Sequence, residues 1–218
     1  RMKIRSGKAI EVDVTPHATT KPRVPKIETN GFVSPMQRYP ELKRSDWTNS
    51  WKRTACVVTA EDGTWGFGLT LHSGVTVPLI NDHIGPMIEG ENCMATERVW
   101  DLMQKATAPY GTAGVSSFAI SAVDNALWDL KGKLLNKPVY EIIGGPQKEK
   151  IFCYASNTDL SYPTEDSIDW FLELGFKAVK LFLREGPDAG LPGLNRTEEL
   201  VAKTREQVGP DVEIAVDC

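Results

Sequence analysis

Residues 114–145 read GVSSFAISAVDNALWDLKGKLLNKPVYEIIGG, and this stretch decides the fold. Ile120, Val123, Leu127, Leu130 and Leu134 recur at steps of three and four, which lines one face of a helix with apolar side chains. Ser116 or Ser117 is available to cap the start, and the helix has to stop before Pro138, near Asn136. The run from Pro138 to Ile143, followed by Gly144 and Gly145, reads as a further short turn of helix closed by glycines.

Towards the N-terminus, residues 2–14 alternate loosely and read as a first strand. Residues 15–50 differ: Pro16, Pro22, Pro25, Pro35 and Pro40 break any regular pattern, and Lys, Arg, Thr and Asn fill the gaps. A loop this long is either functional or a floppy insertion, and composition does not choose between them. Residues 53–68, RTACVVTAEDGTWGFG, carry a hairpin signal around Asp62-Gly63, a pair that accepts positive φ in a tight turn. Residues 77–84 and 95–106 read as helices, with Pro78 in the first turn of the former and Val99, Leu102 and Met103 striping the latter. Strands followed by helices make an α+β domain over residues 1–140.

Towards the C-terminus the rhythm changes. A strand at 150–154 is followed by a helix at 164–174, with Ile168, Phe171 and Leu172 on one side and Gly175 at its end. A near-continuously apolar strand at 178–183, a helix at 198–208 stopped by Gly209-Pro210, and a strand at 213–216 complete the pattern. Strand, helix, strand, helix, strand implies parallel pairing with right-handed crossovers over residues 141–218. A (β/α)₈ barrel takes about 250 residues. The expectation is therefore an α/β (β/α)-barrel of the TIM-like kind, truncated after its third strand, with the remaining barrel residues supplied by a separate or missing segment. A small open sheet complete in itself is the alternative reading.

The chain has 218 residues, 25% of them charged, and a formal charge of -4, an ordinary composition for a globular protein with a sizeable core. Lys and Arg are interspersed with Asp and Glu, which argues against nucleic acid as a partner. No apolar run approaches the roughly 18 residues of a membrane span. The opening Arg-Met-Lys-Ile-Arg lacks the apolar core of a signal peptide. Cys56, Cys93, Cys153 and Cys218 are far apart and form no C-x-x-C pair, which disfavours a disulfide framework or a zinc site and fits a cytoplasmic location.

In barrels the reacting groups sit where strands end. Asp217 directly follows the apolar Ile214-Ala215-Val216, so it either binds a hard cation through oxygen or caps a following helix. Lys180 lies among Val179, Leu181 and Phe182 and either points into the barrel or snorkels outward. Arg44 and His17 lie in the long loop and are either substrate contacts or solvated loop residues. His72 and His83 read as surface or capping histidines, and the tryptophans as packing, with Trp47 or Trp51 as an alternative aromatic wall.

The AISAVDNALWDLKGK segment, with its following Pro and Gly-Gly, resembles the stretch that leads from the capping domain into the barrel of enolase-superfamily enzymes, the mandelate-racemase-like group. In that superfamily the third barrel strand ends in an Asp that ligates Mg²⁺, and Asp217 in Ala215-Val216-Asp217-Cys218 matches it. The second strand often carries Lys-x-Lys, whose second lysine is an acid/base. The matching triplet is Lys180-Leu181-Phe182, so the first lysine is present and the second is Phe, which argues against a lysine base there. Within the superfamily the likeness is to L-rhamnonate dehydratases and related sugar-acid dehydratases. It rests on Ser34-Pro35-Met36-Gln37-Arg38-Tyr39, on Gly186-Pro187 in the loop after the second strand, and on the Asp-Cys pair.

The resemblance implies an N-terminal capping domain, a lyase activity and Mg²⁺. It implies dehydration of an aldonate such as L-rhamnonate to a 2-keto-3-deoxy acid, by α-proton abstraction through an enediolate. It also implies a catalytic Lys180, Asp217 as metal ligand, Arg44 as a substrate contact and a symmetric homo-oligomer, while His17 is a substrate-contact candidate from its place in the loop alone. Another proton-abstracting enzyme of the superfamily, or a non-catalytic protein on the same fold, remain the rival readings.

Overall fold

The computed structural model describes residues 2–14, 39, 41, 49–111, 113–157, 163–183, 185–186 and 189–217. Two compact units divide the chain: Arg1–Pro16 with Asn49–Glu149, and a second that takes in Lys150–Cys218.

The first unit holds an antiparallel sheet of β1 (Ile4–Val12), β2 (Arg53–Ala60) and β3 (Trp65–Thr70), in that order. The β2–β3 turn closes as the Asp62-Gly63 pair predicts: Gly63 takes φ 90° and donates its N–H to the Ala60 carbonyl at 3.1 Å. The helical layer follows as α1 (Ser73–Leu79), a π-helical turn (Ile80–Ile84), α2 (Gly85–Ile88), α3 (Thr96–Thr107), α4 (Val115–Leu135) and α5 (Val139–Ile142).

The predicted stripe of α4 is buried from Ile120 to Leu130, and the helix ends on Asn136 in the left-handed region, φ 50°. Neither Ser116 nor Ser117 caps its start. Gly114 takes the N-cap position without a side-chain bond, and Ser116 is buried in the first turn. The helix expected over 77–84 begins earlier, at Ser73, so Pro78 stands inside α1 rather than at its start. Tertiary contacts fix that early start: the Ser73 hydroxyl donates to Glu11 at 2.6 Å, and the Thr76 hydroxyl lies 2.7 Å from that of Thr54.

The core of the first unit gathers Ile4, Val58, Ile80, Ile84, Ile88, Val99 and Met103 around α4. Both outer strands of the sheet are closed by side chains from the helical layer. On β1, Ala9 donates its N–H to Asn81 Oδ1 and accepts from Asn81 Nδ2, each at 2.8 Å. On β3, Phe67 donates its N–H to Asp129 at 2.8 Å, and the Trp65 carbonyl accepts from Lys133 at 2.9 Å. Exposed strand edges invite pairing with other chains, and these bonds occupy part of each edge.

The second unit is a parallel sheet, β4 (Ala155–Asn157), β5 (Ala178–Phe182) and β6 (Glu213–Asp217), in the order β4-β5-β6. Two helices accompany it, α6 (Thr164–Glu173) and α7 (Gly190–Val208). The first strand lies at 155–157 and not at 150–154. Ile151 and Phe152 have high strand propensity, but they are 78% and 67% exposed, and β5 pairs with Ala155, Ser156 and Asn157 instead. The second helix starts at Gly190 rather than 198, because Pro192 falls in its first turn, where a missing N–H costs nothing. Val179, Leu181 and Ile214 pack with Ile168, Phe171, Leu172, Leu200, Val201 and Val208, so both helices cover the same sheet face.

Candidate functional site

Side chains alternate across a strand. With Val179, Leu181 and Ile214 turned to the helices, Lys180, Phe182, Ala215 and Asp217 project from the other face. The parallel register sets Lys180 beside Ala215 and Phe182 beside Asp217. Lys180 therefore reaches one step along the sheet to meet Asp217, and its Nζ lies 2.9 Å from Asp217 Oδ2. This is where the strands end, at the C-terminal rim of the parallel sheet. The two residues drawn from the sequence on separate grounds are thus brought together.

The pair is unequally exposed, with the Lys180 side chain at 22% and Asp217 at 48%. The bond to Asp217 raises the Lys180 ammonium above its usual range, and Tyr154 adds to this. Lys180 is thus a cation at neutral pH, suited to holding an anion rather than to taking a proton. Tyr154 stands just before β4, with its ring centroid 5.5 Å from the same Nζ. A first strand at 150–154 offers Tyr154 no place beside Lys180. With the strand at 155–157, the alternation carries Tyr154 and Ser156 to the face of Lys180.

A hard cation takes oxygen donors, and a half-exposed carboxylate at a strand end suits one such position. Asp217 keeps Lys180 on Oδ2, and a carboxylate has two oxygens, so the ion pair and a metal contact are compatible. Among the described residues no group of three or more His, Cys, Asp or Glu gathers to hold a metal ion, so Asp217 fits as one ligand of an otherwise unsupplied set.

The remaining sequence candidates fall elsewhere. His17, Arg44, Trp47, Ser34 to Arg38 and Pro187 lie outside the described residues. His72 precedes α1 with φ 61°, and its ring stands edge-on to Phe118 at 4.8 Å and to Trp51 at 6.1 Å. His83 lies in the π-helical turn, edge-on to Tyr110 at 5.7 Å. Of the cysteines, Cys56 and Cys93 are buried free thiols and Cys153 an exposed one. No helix among the described residues is long and apolar enough to cross a membrane.

Comparison with known proteins follows the same lines. The L-rhamnonate dehydratase of Saccharopolyspora erythraea is 39% identical over 189 residues, covering 85% of this chain and 46% of its own length. The crystal structure of rhamnonate dehydratase from Gibberella zeae complexed with Mg superposes with a TM-score of 0.80 at 29% identity, over 99% of this chain and 53% of that one. The 3,6-anhydro-D-galactonate cycloisomerase of Zobellia galactanivorans gives a TM-score of 0.66 at 32% identity, over 77% of this chain and 46% of that one. The chain spans about half the length of the relatives it matches. The N-terminal domain of the mandelate racemase / muconate lactonizing enzyme family matches residues 33–144, and the chain belongs to that family.

Proposed function

We propose that this chain forms the front part of an Mg²⁺-dependent lyase that dehydrates a sugar acid, an aldonate such as L-rhamnonate, to a 2-keto-3-deoxy acid. The observation that carries the reading is the Lys180–Asp217 pair, 2.9 Å apart on the helix-free face of a parallel sheet, at its C-terminal rim. The names of the relatives support the substrate class, since both L-rhamnonate and 3,6-anhydro-D-galactonate are sugar-derived carboxylates.

On this reading the second unit is the opening of a (β/α) barrel, and Lys180 and Asp217 face its interior. Removing the α proton of a sugar acid drives negative charge onto the carboxylate oxygens and leaves an enediolate; the β-hydroxyl then takes a proton from the conjugate acid of the base and leaves as water, and the resulting enol tautomerises to the keto acid. Asp217, with oxygens from outside the described residues, would hold Mg²⁺, whose Lewis acidity would favour the charge developing on the carboxylate oxygens. Lys180 hydrogen-bonds the substrate carboxylate and adds fixed positive potential where the charge grows, which favours the transition state over the ground state. Phe182 shares the face of Lys180 and has no proton to exchange, so the proton acceptor is not at that position. Arg44 and His17 are assigned to substrate hydroxyls or carboxylate.

The test is to incubate the whole protein and Mg²⁺ with a panel of aldonates, L-rhamnonate among them, and to assay 2-keto-3-deoxy products. Turnover of at least one aldonate is expected, with Lys180→Met lowering kcat by about 10²–10³-fold, the scale of one removed oxyanion donor. No turnover of any aldonate ends the reading.

A further inference from the structure

A lysine side chain has a flexible four-carbon stem, and one ion pair at a half-exposed site does not hold it in a single direction. Lys180 has two flanking groups. Asp217 of β6 takes the ammonium at 2.9 Å, and the ring of Tyr154, before β4, lies 5.5 Å from it on the other side. A cation within about 6 Å of an aromatic centroid is attracted to the ring face. Ser156 pairs directly with Lys180, and Ala215 flanks it on β6, so the neighbouring strands present only short side chains beside the lysine stem. The two groups that limit its swing are Tyr154, through its ring and its hydroxyl, and the Asp217 carboxylate.

Resting on the reading of Lys180 given above, we propose that Tyr154 is a positioning residue that aims the Lys180 ammonium at the substrate carboxylate. Two properties of the pairing support this. The ring attracts the ammonium without neutralising it, so the positive charge that an anionic substrate needs is preserved. The ring also competes for no lone pair of Asp217, so it keeps its hold when that carboxylate is engaged elsewhere. Tyr154 is 51% exposed, so its replacement does not open the hydrophobic core.

The test compares Tyr154→Phe, which keeps the ring, with Tyr154→Leu, which removes it, in the whole protein. Tyr154→Leu lowers kcat on the sugar acid about tenfold with KM within about twofold, and Tyr154→Phe, which loses the hydroxyl but keeps the ring, retains a kcat between those of the parent and Tyr154→Leu. A purely structural role would lower the melting temperature of Tyr154→Leu along with its kcat, whereas the aiming role leaves the melting temperature at the parent's.

A second readout needs no turnover. With the lysines reductively methylated with ¹³C, the Lys180 methyl signal, assigned by its loss in Lys180→Arg, is shifted upfield by the ring. Tyr154→Leu moves it to the position of the other lysines, and Tyr154→Phe leaves it in place. A Lys180 signal indifferent to Tyr154→Leu overturns the proposal, and so does a shifted signal with unaltered kcat. If the unsubstituted protein turns over no sugar acid, the functional reading fails, while the methyl signal still decides whether Tyr154 holds the ammonium.

Discussion

Asp124 is a carboxylate part-buried on α4, with no hydrogen-bond or ion-pair partner among the described residues. Burial raises its pKa above the ordinary 3.8. Cys56 is raised further by the same cause, to about 12. The consequences for stability differ. A thiol with an ordinary value of 9.0 is neutral at pH 7 folded or unfolded, so burying Cys56 carries no charge penalty until alkaline pH. Asp124 is ionised at pH 7 in the unfolded chain, and burial in the folded state opposes that charge. A raised carboxyl contributes stability below its unfolded pKa and loses it as pH rises through the folded value. Asp124→Asn is therefore expected to unfold at a higher temperature than the parent at pH 7. The gap should close as pH falls below about 4, near the ordinary aspartate value. A melting temperature at pH 7 equal to or below the parent's counts against uncompensated burial.

At the scale of elements, the contact that organises the first unit is α4 lying directly on β3. The inward residues of β3 are Gly66, Gly68 and Thr70. A Cβ at Gly68 would stand 2.0 Å from the carbonyl oxygen of Ala122, and one at Gly66 2.0 Å from that of Ala126. Helix backbone thus rests on strand backbone, and Gly68→Ala has to push the two apart. The expected cost is about 3 kcal/mol or more of unfolding free energy, read from the urea midpoint. Because the obstructing atom is backbone, adding Ala122→Gly should not rescue the variant; a rescue would mean that side-chain crowding, not helix approach, sets the cost.

This contact also marks how far the sequence could be read. The apolar stripe of α4, the Asp62-Gly63 hairpin and the strands β5 and β6 were legible because local periodicity and turn chemistry specify them. The glycines of β3 were not recognisable as a seat for the helix, nor Asn81, Asp129 and Lys133 as closures of the sheet edges, because each works through a partner far along the chain. For the same reason β4 was misplaced: apolar residues 151–154 outbid it on propensity, and pairing with β5 decided otherwise. At the candidate site, Lys180 and Asp217 could be drawn from strand alternation and the family motif, whereas Tyr154 depended on the correct start of β4.

At the scale of the molecule, each unit has its own hydrophobic core, and the candidate chemistry of the described residues belongs to the second. The helices there bury one face of the sheet and leave the other with a lysine, a carboxylate and a phenylalanine, which is the division a barrel makes between its wall and its interior. A single carboxylate binds Mg²⁺ weakly, so a firm site built on Asp217 must add further oxygens to it. If it does, Mg²⁺ binds the folded state in preference to the unfolded one and stabilises it by about 2.7 kcal/mol at a hundred times Kd. Thermal unfolding of the whole protein is then expected to shift upward with Mg²⁺ and not with a monovalent salt at matched ionic strength. Asp217→Asn should abolish the shift, since an amide oxygen has no net charge to offer a hard cation. Lys180→Met should keep it, because removing a neighbouring cation leaves Asp217 more available. An Asp217→Asn protein that still responds to Mg²⁺ like the parent would place the metal elsewhere, and a Lys180→Met protein that has lost the response would make the lysine part of the metal site rather than its companion.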